Sequence, residues 1–270
     1  MRIAVISDIH ANLEAFQEFM DDISEHHVDR IVCLGDIVGY NTNPNECIDL
    51  VRQYDSLCVA GNHDRAASGQ ITTEGFSVTA TRAIAWTRRR LRADNLDFLR
   101  GLPLQASIQN HLVAVHGALH PDTGNEMVRL DNDERRLLSL EALVAHPSGA
   151  RVCAFGHTHR LGIFELRNGI VQVYTDDEVI LRKDAYYLIN PGTIGEPRTT
   201  DRRATYLVLD TVRQMVTARY VGYDSLATLE KTRKAGLLPR SSYFPPPVRT
   251  VTKQVLRALG LYDIVRRVVD

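Results

Sequence analysis

Five short apolar runs, each ending at or carrying a residue that can hold a metal or move a proton, constrain this chain more than any other feature. They are RIAVIS before Asp8, RIVCLG before Asp36, SLCVAG before Asn62, HLVAVHG containing His116, and RVCAFG before His157. Their length, β-branched content and glycines favour buried strands over helices. Helical stretches are expected at 11–27, 44–53, 76–92 and 131–146, alternating with the runs, and this pattern predicts an α/β fold with a partly parallel sheet. In such sheets ligands bind beyond the carboxyl ends of the strands, so residues far apart in sequence can share one crevice.

From residue 160 the pattern becomes β-rich. LGIFELRNGIVQVY reads as two strands around Asn168-Gly169, and 186–190, 204–210 and 214–221 read as further strands. Two sheets packed together with helices outside would bury both sets of apolar faces. No Ser- or Gly-rich linker divides the chain, so 1–222 is expected to form one domain, with 223–270 a basic helical extension packed on it. Pro245-Pro246-Pro247 splits that extension, and Val251, Val255, Leu256, Leu259 and Leu261 give its second half an apolar face.

With 32 Lys and Arg against 33 Asp and Glu, global charge gives no reason to expect nucleic acid or an anionic membrane as the main partner. No apolar run approaches the roughly 18 residues needed to span a bilayer, and MRIAVISDIH meets charge too soon for a signal peptide. A soluble, cytoplasmic protein is expected. Cys33, Cys47, Cys58 and Cys153 form no C-x-x-C pair and read as reduced core thiols.

The chemistry gathers at the strand ends: Asp8 and His10, then Asp36, then Asn62, His63 and Asp64, then His116, then His157 and His159. Imidazole nitrogen, carboxylate oxygen and an amide carbonyl together suit manganese, iron, nickel or zinc, whereas magnesium would suit a more oxygen-rich set. Asp8 and His10 are two residues apart, as are His157 and His159, and in extended chain each pair faces one side. Seven donors are too many for one ion. A central carboxylate among them is what two ions roughly 3.5–4 Å apart require, because a bridging anion reduces their repulsion.

D-I-H at 8–10, G-D at 35–36, G-N-H-D at 61–64, H-G at 116–117 and G-H-T-H at 156–159 together resemble the signature of the calcineurin-like metallophosphoesterases. G-D-I-V-G-Y at 35–40 and N-P-G-T-I-G-E-P-R at 190–198 are similar to the small prokaryotic phosphodiesterase branch. The resemblance implies a four-layer αββα sandwich. It also implies that Asp8, His10 and His159 hold one metal, that Asn62, His116 and His157 hold a second, that Asp36 bridges them and that His63 is catalytic. Two divalent ions against two carboxylates would leave a local charge of about +2, favouring a bridging hydroxide and an anionic phosphate. That hydroxide would attack phosphorus in line, and His63 would protonate the departing oxygen. The expected cofactors are two divalent ions, manganese first, with iron, zinc or nickel as alternatives. Expected substrates are phosphodiesters or nucleotide anhydrides, dinucleoside polyphosphates among them, ahead of phosphomonoesters.

Departures narrow the branch. Protein phosphatases of the superfamily carry an acidic residue and an arginine after G-D, where this chain has Val38 and Gly39, so a dedicated Ser/Thr phosphatase is not expected. The carboxylate that buttresses the catalytic histidine there is also missing, so something else must orient His63. Asn12 is either near the substrate phosphate or a helix cap, and Arg65 and Arg198 are either phosphate clamps or surface ion pairs. Asp64 either orients its loop or bonds backbone amides; Tyr40 and Asn41 either face the leaving group or finish a turn. His26, His27, His111, His120 and His146 are assigned no function, and Arg88, Arg89, Arg90 and Arg92 read as a solvated helix end.

Two other classes fit the sequence less well. A non-catalytic scaffold of the same fold is disfavoured because no expected ligand is missing. A nuclease guided by the basic tail is disfavoured because the tail offers only Tyr243, Phe244 and Tyr262 for stacking. A homo-oligomer is left open.

Overall fold

Strand β1 (Arg2–Ile6) is buried on both faces, and that dictates the layers around it. Ile3 and Val5 pack with Val32, Leu34, Ala154 and Ile189 between two sheets, while Ala4 and Ile6 pack with Phe16, Phe19 and Ile48 under helices. The computed structural model describes residues 1–119 and 125–238. Its first sheet contains β1, β2 (Arg30–Cys33), β3 (Leu57–Cys58), β9 (Glu178–Ile180), β11 (Ala204–Asp210) and β12 (Met215–Val221). The second contains β4 (Gln105–Ile108), β5 (Leu112–Val115), β6 (Val152–Ala154), β7 (Leu161–Arg167), β8 (Ile170–Tyr174) and β10 (Tyr186–Pro191).

The strand orders are β3-β2-β1-β11-β12-β9 and β4-β5-β6-β10-β7-β8. Within them β3, β2 and β1 run parallel, as do β5, β6 and β10; the other pairings are antiparallel. Of these parallel strands, β1, β2, β3, β5 and β6 lead into the candidate ligands. The expected sandwich of two sheets between helical layers is the observed fold.

Outside the first sheet lie α1 (Leu13–Ser24) and α2 (Pro44–Gln53), followed in the chain by α3 (Asn62–Ala67), α4 (Val78–Arg88) and α5 (Ala93–Gly101). Outside the second lies α6 (Asp133–Val144), whose Leu140 and Leu143 meet Val113, Cys153 and Leu188. Helix α1 buries Ala15, Phe16, Phe19, Met20 and Ile23, a helical spacing, and is capped by the Asn12 side chain accepting from the Ala15 N–H. It starts two residues later than expected because His10 and Ala11 hold φ of 50° and 54°. Pro44 opens α2 without loss of a hydrogen bond.

Two helices and two strands differ from the sequence reading. The expected 76–92 helix ends at Arg88 and is followed by α5, and the G-N-H-D motif itself opens α3, too short to show periodicity. The short strands β4 and β9 were also not anticipated. All four cysteines are free and buried. Helix α7 (Ser225–Lys234) packs on α1: the Thr228 hydroxyl donates to Asn12 Oδ1 and Glu14 Oε2, and Lys231 pairs with Glu14. The apolar face expected at 251–261 lies outside the described residues. No helix among the described residues is long and apolar enough to cross a membrane.

Phe19 is fully buried with its ring 4.9 Å from that of Tyr206, edge to face. Phe19→Ala should destabilise the protein by about 3–5 kcal/mol in urea unfolding, mostly as cavity cost.

Candidate metal centre

Two buried carboxylates organise the strand ends, each with one oxygen anchored and the other presented. Asp36 Oδ1 accepts the His63 backbone N–H at 2.8 Å, leaving Oδ2 3.7 Å from His10 Nε2 and 3.4 Å from His116 Nε2. Asp8 Oδ2 accepts the His157 N–H at 3.1 Å, leaving Oδ1 3.1 Å from His159 Nε2 and 3.6 Å from His10 Nε2. Asp8 Oδ1 is buried with no hydrogen-bond partner. Asn62 Oδ1 and His157 Nδ1 lie 3.1 and 3.2 Å from His116 Nε2.

The imidazoles are turned the same way. Nδ1 of His10, His116 and His159 faces the carbonyls of Val38, Leu34 and Glu196 at 3.1, 2.7 and 2.8 Å. A carbonyl accepts, so each Nδ1 donates and each Nε2 points inward, offering a lone pair when the ring is neutral. His10 and His159 thus set their Nε2 atoms 3.2 Å apart. Convergent lone pairs beside an unpartnered carboxylate oxygen fit a cation. Asp8, His10 and His159 form one group able to hold a metal ion, and Asp36, His116 and His157 another. All seven residues expected as ligands are brought together.

Asp8, His10, Asp36, His157 and His159 all hold φ between 50° and 61°, in the left-handed region that non-glycine residues rarely adopt. Such conformations cost on the order of 1–3 kcal/mol each and persist where surroundings fix them. Here the 190–198 segment does much of the fixing. Thr193 donates from Oγ1 to the Asp8 carbonyl at 2.8 Å, and Asn190 Nδ2 donates to the Gly156 carbonyl at 2.9 Å. In sequence only Arg198 of this segment carries a candidate role; the bracing by Asn190 and Thr193 needs the fold.

His63 is oriented by shape. Its ring lies 4.8 Å from Tyr40 and from His10 and 5.2 Å from Phe76, with Nδ1 buried and unpartnered. A Cβ at Gly39, whose φ is +96°, would come within 2.3 Å of His63 Nδ1. The missing buttress is therefore replaced by an aromatic enclosure closed by a glycine. Asp64 bonds backbone amides, accepting from Gly61 and Val38 N–H at 3.0 and 3.1 Å.

Electrostatics follow the burial. Burial alone would raise Asp8 and Asp36; His159 and His10 hold the first well below the carboxylate range, and His116, His63 and His10 lower the second. Burial lowers His63 and His157 to about 3. Burial would lower His116 as well, but Asp36 outweighs it and raises it to about 9. For Asp64, burial and Asp36 raise the carboxyl to about 7.

The other expected residues divide. Asn12 caps α1, and its Nδ2 donates to the Gly195 carbonyl at 2.9 Å, so its polar atoms serve the scaffold although it lines the cleft. Arg65 takes the ion-pair alternative: it is paired with buried Glu126 and is not among the residues lining the cleft. Arg198 does line it. Tyr40 packs on His63, and Asn41 Nδ2 donates to the His10 carbonyl at 3.0 Å. Arg88 donates to the Ala66 carbonyl and Arg90 covers Trp86, so that cluster is held locally. Among the unassigned histidines, His26 sits beside Asp22 and His146 bonds Ser148 and Gln105; His120 lies outside the described residues.

A cleft of about 1270 Å³ is lined by Asp36, Asn62, His63, His157 and His159, with Leu226, Thr228 and Leu229 of α7 contributing to its wall. The family profile for the calcineurin-like phosphoesterase superfamily domain matches residues 1–214. The chain belongs to that superfamily. It is 34% identical over 236 residues to an uncharacterized protein of Methanocaldococcus jannaschii, covering 86% of this chain and 92% of that one. A crystal structure of a metallophosphoesterase from Sphaerobacter thermophilus is 34% identical, with a TM-score of 0.71 over 88% of this chain and 95% of the other. A hypothetical protein from Pyrococcus horikoshii, 16% identical, shares the fold with a TM-score of 0.70 over 93% of this chain and 96% of its own. As a calcineurin-like phosphoesterase the chain is a phosphoester hydrolase of a family that uses divalent metal ions.

Two predictions follow from this geometry. Gly39→Ala should displace the His63 ring and cut turnover at least tenfold while metal content, read by elemental analysis, stays at the wild-type value. The chelated protein should melt at progressively lower temperature as pH falls from about 6.5 toward 3, because His63 and His157 stay neutral when folded but bind protons when unfolded. His116 acts oppositely, its stabilisation fading as pH rises from 6.5 through about 9, so melting scans should peak near neutrality.

Proposed function

We propose that this calcineurin-like phosphoesterase is a dinuclear enzyme acting on phosphodiesters or nucleotide anhydrides, with manganese as the working metal. The observation that carries the reading is Asp36 Oδ2, which stands 3.7 Å from His10 Nε2 and 3.4 Å from His116 Nε2, between the two donor groups. Asp8, His10 and His159 would hold one ion, Asn62, His116 and His157 the other, and Asp36 both. When bound, such ions supply Lewis-acid polarisation of phosphoryl oxygens and an ionised water as nucleophile near neutral pH.

The chain's own groups do the rest. His63 lines the cleft beside Asp36 and is the group placed to give a proton to the departing oxygen. Burial keeps its ring neutral in the free site, and the negative charge of an entering phosphate raises its proton affinity. Arg198 on the lining offers paired N–H donors to a phosphoryl group. A cleft of about 1270 Å³ has room for substituents on both sides of phosphorus, which supports diesters and anhydrides over monoesters. Four buried thiols without a disulfide suit the reducing cytoplasm.

The test is the initial rate on bis(p-nitrophenyl) phosphate against p-nitrophenyl phosphate after manganese loading. The diester should be faster; a faster monoester would make this a phosphomonoesterase. Asp36→Ala should lose both ions and all activity, whereas His63→Ala should keep its metal and lose turnover by about 10²–10⁴-fold. Full turnover in His63→Ala would sink the general-acid role.

A further inference from the structure

The cleft lining carries more positive charge than its acids balance. Arg129, Arg198 and Arg202 line it, against Glu196 and the buried Asp36. Among the described residues, the one ion-pair contact of the Arg129 side chain is a long one to Asp131, Nε to Oδ2 at 3.8 Å, and Arg135 takes the other oxygen of that carboxylate at 3.2 Å. Arg198 makes no hydrogen bond or ion pair among the described residues. Arg202 donates to the Pro197 carbonyl at 3.3 Å, a neutral partner. Guanidinium groups do not shed their charge in proteins, so crowding them without counter-ions is unfavourable until an anion arrives.

The crowding is specific in position. Burial, then Arg198 and Arg160, depress Arg129. Arg129 and Arg198 line the same cleft as His157 and His159, two of the candidate ligands. The phosphoryl group under attack belongs at that cluster. A substrate with a single phosphodiester carries one negative charge, which leaves these arginines unmatched. On the same cleft Leu226 and Leu229 stand 76% and 49% exposed, an apolar wall suited to a nucleoside.

We propose that Arg129 and Arg198 form an anion subsite for a second phosphoryl group, so that the enzyme selects nucleoside polyphosphates and related anhydrides over simple esters. The inference rests on the phosphoesterase reading above and adds the substrate class. Planar guanidinium forks match phosphate oxygens in pairs, which gives the subsite geometric selectivity beyond bulk attraction.

The test is calorimetric titration of the manganese-loaded protein with α,β-methylene-ADP and with AMP, in excess manganese, for wild type, Arg129→Gln, Arg198→Gln and the double variant. Wild type should prefer the diphosphate analogue about tenfold or more, each single variant should reduce that ratio, and the double variant should bind the two alike. Equal affinities in wild type, or a double variant that weakens both nucleotides by one common factor, would overturn the subsite. Turnover of bis(p-nitrophenyl) phosphate by the wild type is measured alongside. Diester turnover without a diphosphate preference removes the subsite alone. A diphosphate preference without turnover of any phosphoester removes the proposed function and leaves the subsite standing.

Discussion

The structure depends on a carboxylate held at one oxygen and free at the other. Asp36 Oδ1 is tied to the His63 amide, which fixes the side chain and leaves Oδ2 between His10 and His116. An aspartate tied at both oxygens could not serve two donor groups, and one tied at neither would rotate. The tie also places His63, since the amide that anchors Asp36 belongs to that residue. Gly61 makes the approach feasible, because a Cβ there would fall 2.1 Å from Asp36 Oδ1.

The fold holds this arrangement against local preference. Five of the seven candidate ligands sit at positive φ. Strands β1, β2, β6 and β10 are buried on both faces and anchor the loops that carry or support most of these ligands, while Thr193, Asn190 and the Glu196 carbonyl brace them from a segment that holds none of the ligands. Backbone that would relax elsewhere is overdetermined here. The same loop from β10 carries Arg198 into the cleft, so one segment both braces the donor cluster and charges the lining.

Much of the fold was legible because β-branched runs and turn residues act locally. The strands at 2–6, 30–33 and 204–210 and the helix Pro44–Gln53 follow from composition and punctuation. Helix α3 was not, since it opens with the polar motif and its six residues are too few to show an apolar period. Strands β4 and β9 are short edges: β4 is four residues hairpinned onto β5, and β9 is three residues paired with β12, more than thirty positions away. For the site, donor types at successive strand ends were visible one by one. The partner of Arg65 was not, because Glu126 lies 61 residues away with no motif to announce it.

The sequence by itself determined the layered α/β architecture, the seven candidate donors and the family, because strand periodicity and residue chemistry are properties of short segments. Only the tertiary structure decided which oxygen of each carboxylate faces inward, that Gly39, Tyr40 and Phe76 orient His63 in place of a carboxylate, and that Arg129 joins Arg198 on the cleft. Those outcomes turn on distances of a few ångströms between residues tens to hundreds of positions apart. Coulomb attraction, steric exclusion and hydrogen-bond direction fall off over that range, so nothing in a linear reading carries them.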